Sequence, residues 1–188
     1  MATDTPTLPP GTYLVRERAA EDRSEYWDGE VVAMAGASRS HNRIVRNLVL
    51  ALGNRFGDGP CEVFATDLRV RVETANAYTY PDLAIVCGDA VFEDEELDVL
   101  VNPTLLIEVL SASTERRDRL QKAPAYKRIE GLREYALISQ YEPSVEVHTR
   151  SGDFWIVTVV VRMEAEVPLA SVGLRLPMGE IYRRVFPD

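Results

Sequence analysis

Residues 104–110 read Thr-Leu-Leu-Ile-Glu-Val-Leu, apolar on both alternating faces except at Glu108. A strand that is apolar on both sides has to be covered on both sides. It therefore belongs near the middle of a sheet with other elements packed on each face. The acid in the middle is conspicuous, because a carboxylate is seldom fully buried unless it is paired. The next segment, 111–129, carries Arg116, Arg117, Arg119, Lys122, Lys127 and Arg128 against only Glu115 and Asp118.

Elements on either side supply partners for such a strand. In "SEYWDGEVVAM" the Asp28-Gly29 pair sits between apolar and aromatic residues and predicts a tight hairpin, with Glu30 opening the returning strand. "SRSHNRIVRNLVLALGNRF" predicts a helix capped by Ser38 or Ser40. Its apolar stripe runs through Ile44, Leu48, Leu52 and Phe56. His41 shares that stripe one turn from the start, while Arg39, Arg43 and Arg46 fall on the other side. After Asp67, "EVFATDLRVRVE" alternates as a half-buried strand, and "YPDLAIVCG" gives another strand with Asp82 at its beginning. A helix is expected after Glu108, with Pro124 in or near its first turn and Gly131 at its end. "EYALIS" is a further strand, and "SVEVHTRSGDFWIVTVVV" reads as a C-terminal hairpin turning near Ser151-Gly152. Hairpin, helix, strands, helix, strands is the order of an α/β or α+β domain built on a mixed sheet.

With 188 residues, 46% of them hydrophobic, the chain suits one domain over residues 12–188, preceded by a flexible Pro- and Thr-rich tail at 1–11. No apolar run reaches membrane-spanning length. The N-terminus lacks the basic and apolar regions of a secretory signal, and two cysteines are too few for a disulfide scaffold, so a cytoplasmic protein is expected. A net charge of −9 argues against coating nucleic acid non-specifically but permits a local basic patch. Zinc is disfavoured, because Cys61, Cys87, His41 and His148 have no ligand spacing.

The candidate chemistry lies in Asp82 and Glu108. On neighbouring strands with the right faces aligned, the two carboxylates stand side by side. Close acids repel each other unless a cation lies between them. Two carboxylates, with water and phosphate oxygens completing an octahedron, suit Mg²⁺ or Mn²⁺. The structural alternatives are a strand-entry turn at Asp82 and an ion pair at Glu108, for instance with Arg133. A lysine on the following segment is placed to polarise an attacking water or to stabilise charge on phosphorus, but spacing alone does not choose between Lys122 and Lys127.

Four blocks in this order, "EYWDGEVVAMAGASRSHNRI", "YTYPDLAIVCG", "LLIEVLSASTERRDRLQKAPAYKRI" and "LREYALISQYEPSVEVH", resemble the Uma-two family of restriction endonucleases within the PD-(D/E)XK nuclease superfamily. The resemblance spans Tyr26 to His148. It implies a restriction-endonuclease-like mixed β-sheet core flanked by helices, acting as a hydrolase on DNA with a divalent metal, Mg²⁺ or Mn²⁺, held by Asp82 and Glu108. The superfamily lysine two residues beyond the acid is replaced here by Leu110. The family pattern has a lysine in the next helix instead, which matches Lys122. Glu30 and His41 match the family's Glu after the hairpin turn and His opening the first helix, implying that Glu30 completes the metal shell and that His41 touches phosphate or buttresses the site. The alternative function is a non-catalytic nuclease-fold module for DNA binding or assembly. Double-strand cutting with one site per chain needs two copies, so a homodimer is expected.

Overall fold

The computed structural model describes residues 7–186. Its centre is a six-stranded mixed sheet in the order β11-β10-β9-β8-β6-β3. These strands are β3 (Cys61–Ala65), β6 (Leu83–Cys87), β8 (Leu105–Leu110), β9 (Glu134–Ser139), β10 (Val145–Ser151) and β11 (Phe154–Val160). The strand carrying Glu108 is β8, and every residue in it is buried. It runs antiparallel to β6 and parallel to β9, the interior position its two-sided apolarity demands.

One face of this sheet is covered by α2 (Arg39–Phe56), the β12–β13 hairpin (Glu166–Leu169 with Leu174–Pro177) and the short α5 (Met178–Ile181). Ser38 caps α2 by accepting the His41 amide at 3.1 Å. Glu134 ties the hairpin down from within β9. Fully buried, it accepts the amides of Ala170 and Ser171 at 3.1 and 3.0 Å and the hydroxyls of Ser171 and Thr149 at 2.6 and 2.9 Å. Glu134→Ala leaves four part-buried donors without their shared acceptor, so it should cost about 3 kcal/mol. A chain of this size would then melt roughly 6–12 °C lower in a calorimetric scan.

The other face meets a second sheet, ordered β2-β1-β5-β4-β7, together with the helical segment 115–126. Its strands are β1 (Ser24–Trp27), β2 (Glu30–Ala33), β4 (Arg69–Val72), β5 (Ala77–Thr79) and β7 (Val99–Leu100). Asp28 and Gly29 both take positive φ, 45° and 98°, as the two-residue turn between β1 and β2 requires. On the outer side of this second sheet lies α1 (Pro10–Arg18), packed through Tyr13 and Leu14 against Tyr26 and Tyr78. Helix α1 begins inside the stretch expected to be a tail, of which residues 1–6 lie outside the described residues.

The segment after β8 departs from a plain helix. It comprises α3 (Glu115–Arg117), a π-helical turn (Asp118–Lys122) and α4 (Ala123–Tyr126). Pro124 falls in the first turn of α4, where its missing N–H costs little, and the wider π turn makes the join. Gly131 does not end this helix. Arg150 reaches over from β10 and donates to the carbonyls of Lys127, Ile129 and Leu132 at 2.7–2.9 Å, taking the capping role expected of the glycine. Cys61 and Cys87 face each other across β3 and β6 and are disulfide-bonded, a staple within one sheet. No helix among the described residues is long and apolar enough to cross a membrane.

Candidate active site

Asp82 lies one residue before β6. The β6–β8 register pairs Leu83 with Ile107 and Ala84 with Leu106. Continued by one step, it sets Asp82 opposite Glu108, and opposed residues of a ladder point to the same face. Both line one open cleft of about 690 Å³, together with Glu25, His41, Asp118 and Lys122. The two acids expected to face each other do so.

Asp82 is held from two sides. The Val109 amide donates to Oδ2 at 2.7 Å, and His41 Nε2 stands 3.0 Å from Oδ1. The apolar stripe of α2 carries His41 over the sheet and into the cleft. Its other nitrogen, Nδ1, is buried without a hydrogen-bond partner.

Glu108 is met by Lys122, whose Nζ lies 3.0 Å from Oε1, while the Tyr126 hydroxyl donates to the same oxygen at 3.0 Å. Lys122 is shared. It also sits 2.8 Å from Glu25 Oε1 and 3.5 Å from Asp118 Oδ1. The π turn places Asp118 and Lys122 one turn apart, both facing inward. Lys127, the other candidate, points to the far side of the segment, over the Trp155 ring. Arg133 is exposed and does not pair with Glu108.

The centre is over-supplied with acid. Glu25, Asp82, Glu108 and Asp118 face Lys122, His41 and Arg117, whose guanidinium is 3.5 Å from Glu25. Burial pushes the Glu108 carboxyl well above the usual range; Lys122 pulls it down, while Asp118, Asp82 and Glu25 push it further up. Burial likewise raises Asp118. Burial opposes the charge on Lys122, but Glu108, Glu25 and Asp118 together hold it protonated well above its ordinary value.

Glu30 is not part of this group. It opens β2, the outermost strand of its sheet, and its side chain is exposed. The acid that the hairpin does deliver is Glu25, on the inner strand β1 and 4% exposed. The signal for it was alternation, since Glu25 and Trp27 share the buried face of β1. Asp118 had a signal too, lying four residues before Lys122.

The donor set suits a hard divalent cation. Among the described residues no three His, Cys, Asp or Glu side chains are gathered so as to hold a metal by themselves. Two opposed carboxylates at the floor of an open cleft leave the remaining positions to water and substrate oxygens, as Mg²⁺ and Mn²⁺ accept. Both carboxylate oxygens of Asp118, buried beside them, lack hydrogen-bond partners. Both cysteines are bonded to each other and so are not free to ligate a metal.

The chain is thus a mixed α+β fold with a carboxylate-lined cleft where two sheets meet. A crystal structure from Anabaena variabilis, described as "a putative nuclease belonging to DUF820", shares the fold with a TM-score of 0.73 at 19% identity, over 95% of this chain and 99% of the other. The model of the Uma2 family, described as "Putative restriction endonuclease", matches residues 10–179. Two uncharacterized proteins of Synechocystis sp. are similar along nearly their whole lengths. One is 37% identical over 90% of this chain and 97% of its own; the other is 30% identical over 95% and 93%. The chain belongs to the Uma2 family.

Proposed function

We propose that the protein is a divalent-metal-dependent endonuclease that hydrolyses phosphodiester bonds in DNA. The observation that carries this reading is the pair Asp82–Glu108, opposed across antiparallel strands at the floor of a cleft, with a lysine ammonium bonded to one of them. Asp82 and Glu108 would hold Mg²⁺ or Mn²⁺, which when bound supplies Lewis-acid polarisation of the phosphoryl group and a more acidic water. His41 and the Val109 amide fix the Asp82 carboxylate so that its direction does not depend on the substrate. Lys122 is protonated and so cannot take a proton from water. Its ammonium donates to the oxygens on which charge develops at phosphorus. Glu25 and Asp118 keep that ammonium at the cleft, and Tyr126 holds Glu108 from behind. Glu25, rather than Glu30, is the acid the hairpin brings to the site, and its role is to anchor Lys122 and not to complete the metal shell as was expected of Glu30.

Calorimetric titration with Mn²⁺, paired with nicking of supercoiled plasmid, tests this. Wild type should bind the ion, and Asp82→Asn should bind it at least tenfold more weakly, since even partners one step removed from a metal contribute about 10–100-fold. Nicking should require the ion. Equal affinity in the two proteins would sink the metal assignment, and DNA binding without cleavage would make the protein a non-catalytic nuclease-fold module.

A further inference from the structure

Strand β11, Phe-Trp-Ile-Val-Thr-Val-Val, ends the six-stranded sheet and carries no charged residue. It pairs with β10 without a bulge from Ser151↔Phe154 to Val145↔Val160, so its other edge presents a straight row of unpaired amides and carbonyls. Side chains are exposed on both faces of the strand, Phe154 at 77% and Ile156 at 56% on one and Val159 at 57% on the other. Proteins that stay monomeric protect such an edge with lysine, proline, a bulge or a covering helix. β11 has none of these. The opposite edge, β3, lies under α2.

We propose that β11 is the dimer interface, pairing antiparallel with β11 of a second copy so that the two six-stranded sheets become one. Three observations select a second copy over another protein. An antiparallel edge paired with itself about a two-fold axis is self-complementary and closed, so it leaves no free edge for further growth. The apolar residues of one strand meet the apolar residues of the other. Asp153 and Arg162, which flank the strand at its two ends, are exposed and have no ion-pair partner among the described residues, and antiparallel pairing brings each beside the other's counterpart.

The two-fold axis of such a pair stands perpendicular to the sheet, so both copies turn the same face the same way. Glu108 therefore opens on one side of the joined sheet in both copies. Strand β8 is three strands in from the edge, which separates the two by seven strand spacings, about 34 Å. That is close to one turn of duplex DNA. This last consequence rests on the proposed function; the dimer itself does not.

Sedimentation equilibrium at micromolar concentration should show a dimer. Val157→Lys/Val159→Lys, with circular dichroism unchanged because both positions are exposed, should give a monomer. Asp153→Arg should weaken association about tenfold by setting like charges together, and adding Arg162→Asp should restore it. A wild-type monomer, or a dimer indifferent to both the lysine pair and the charge swap, would overturn the proposal. The readout is mass, so it stands apart from any test of cleavage.

Discussion

Lys122→Met should melt about 10 °C below wild type and lose its plasmid-nicking activity. One ammonium, 7% exposed, serves Glu25, Glu108 and Asp118. Removing it leaves Glu108 and Asp118 without a cation and Glu25 with only Arg117 at 3.5 Å, and breaking a buried ion pair from one side costs about 3–5 kcal/mol. In a chain of this length each kcal/mol moves the midpoint by roughly 2–4 °C. Adding Glu25→Gln and Glu108→Gln to Lys122→Met removes most of the stranded charge. The triple variant should therefore recover much of the stability and none of the activity. Scanning calorimetry and the nicking assay, run on both variants, separate the two effects. A single variant as stable as wild type would show that the ammonium is not needed to balance the centre.

Glu108→Gln should do the reverse, raising stability while lowering activity by at least a hundredfold. In the unfolded chain Glu108 loses its proton near the ordinary glutamate value of about 4.3. In the folded protein burial holds the proton to higher pH, and Asp118 is shifted the same way. Between those limits the native state carries more protons than the unfolded one, so stability falls as pH rises from about 4 toward the folded values. Lys122 acts at the other end: its contribution is complete below about pH 10.4 and is lost as pH rises through its raised folded value. Glutamine abolishes the Glu108 contribution, so thermal midpoints between pH 4 and pH 7 should decline less steeply than in wild type. A wild-type midpoint that is flat across that interval would contradict the account of Glu108.

Much of this was legible before folding. The two-sided apolarity of 105–110 required an interior strand, the four-residue spacing from Ile44 to Phe56 required α2, and Asp28-Gly29 required the hairpin. Alternation alone brought Asp82 and Glu108 to one face, because both strands are regular and adjacent. What escaped was set by tertiary contacts. Glu30 follows the turn conspicuously, yet only the sheet order makes β2 the outer strand and hands the site to Glu25. The choice of Lys122 over Lys127 depends on the π turn, which no periodicity announces. Gly131 looked like a helix stop until Arg150, on β10, supplied the carbonyls' partner from another part of the chain. Helix α1 has too few apolar positions to be seen by pattern; Tyr13 and Leu14 matter only once Tyr26 and Tyr78 are brought opposite them.

The position of Glu25 gives the centre a second property. It comes from β1, in one sheet, while Glu108 comes from β8, in the other, and Lys122 bridges them from the segment between. The proposed reactive centre is therefore also the seam along which the two halves of the molecule are fastened. Any loosening of the five-stranded sheet, by a lesion in α1 or in the tyrosine cluster beneath it, parts Lys122 from one of its anchors before it touches the cleft. Damage far from the chemistry would then be read first as a misplaced lysine, and only later as unfolding.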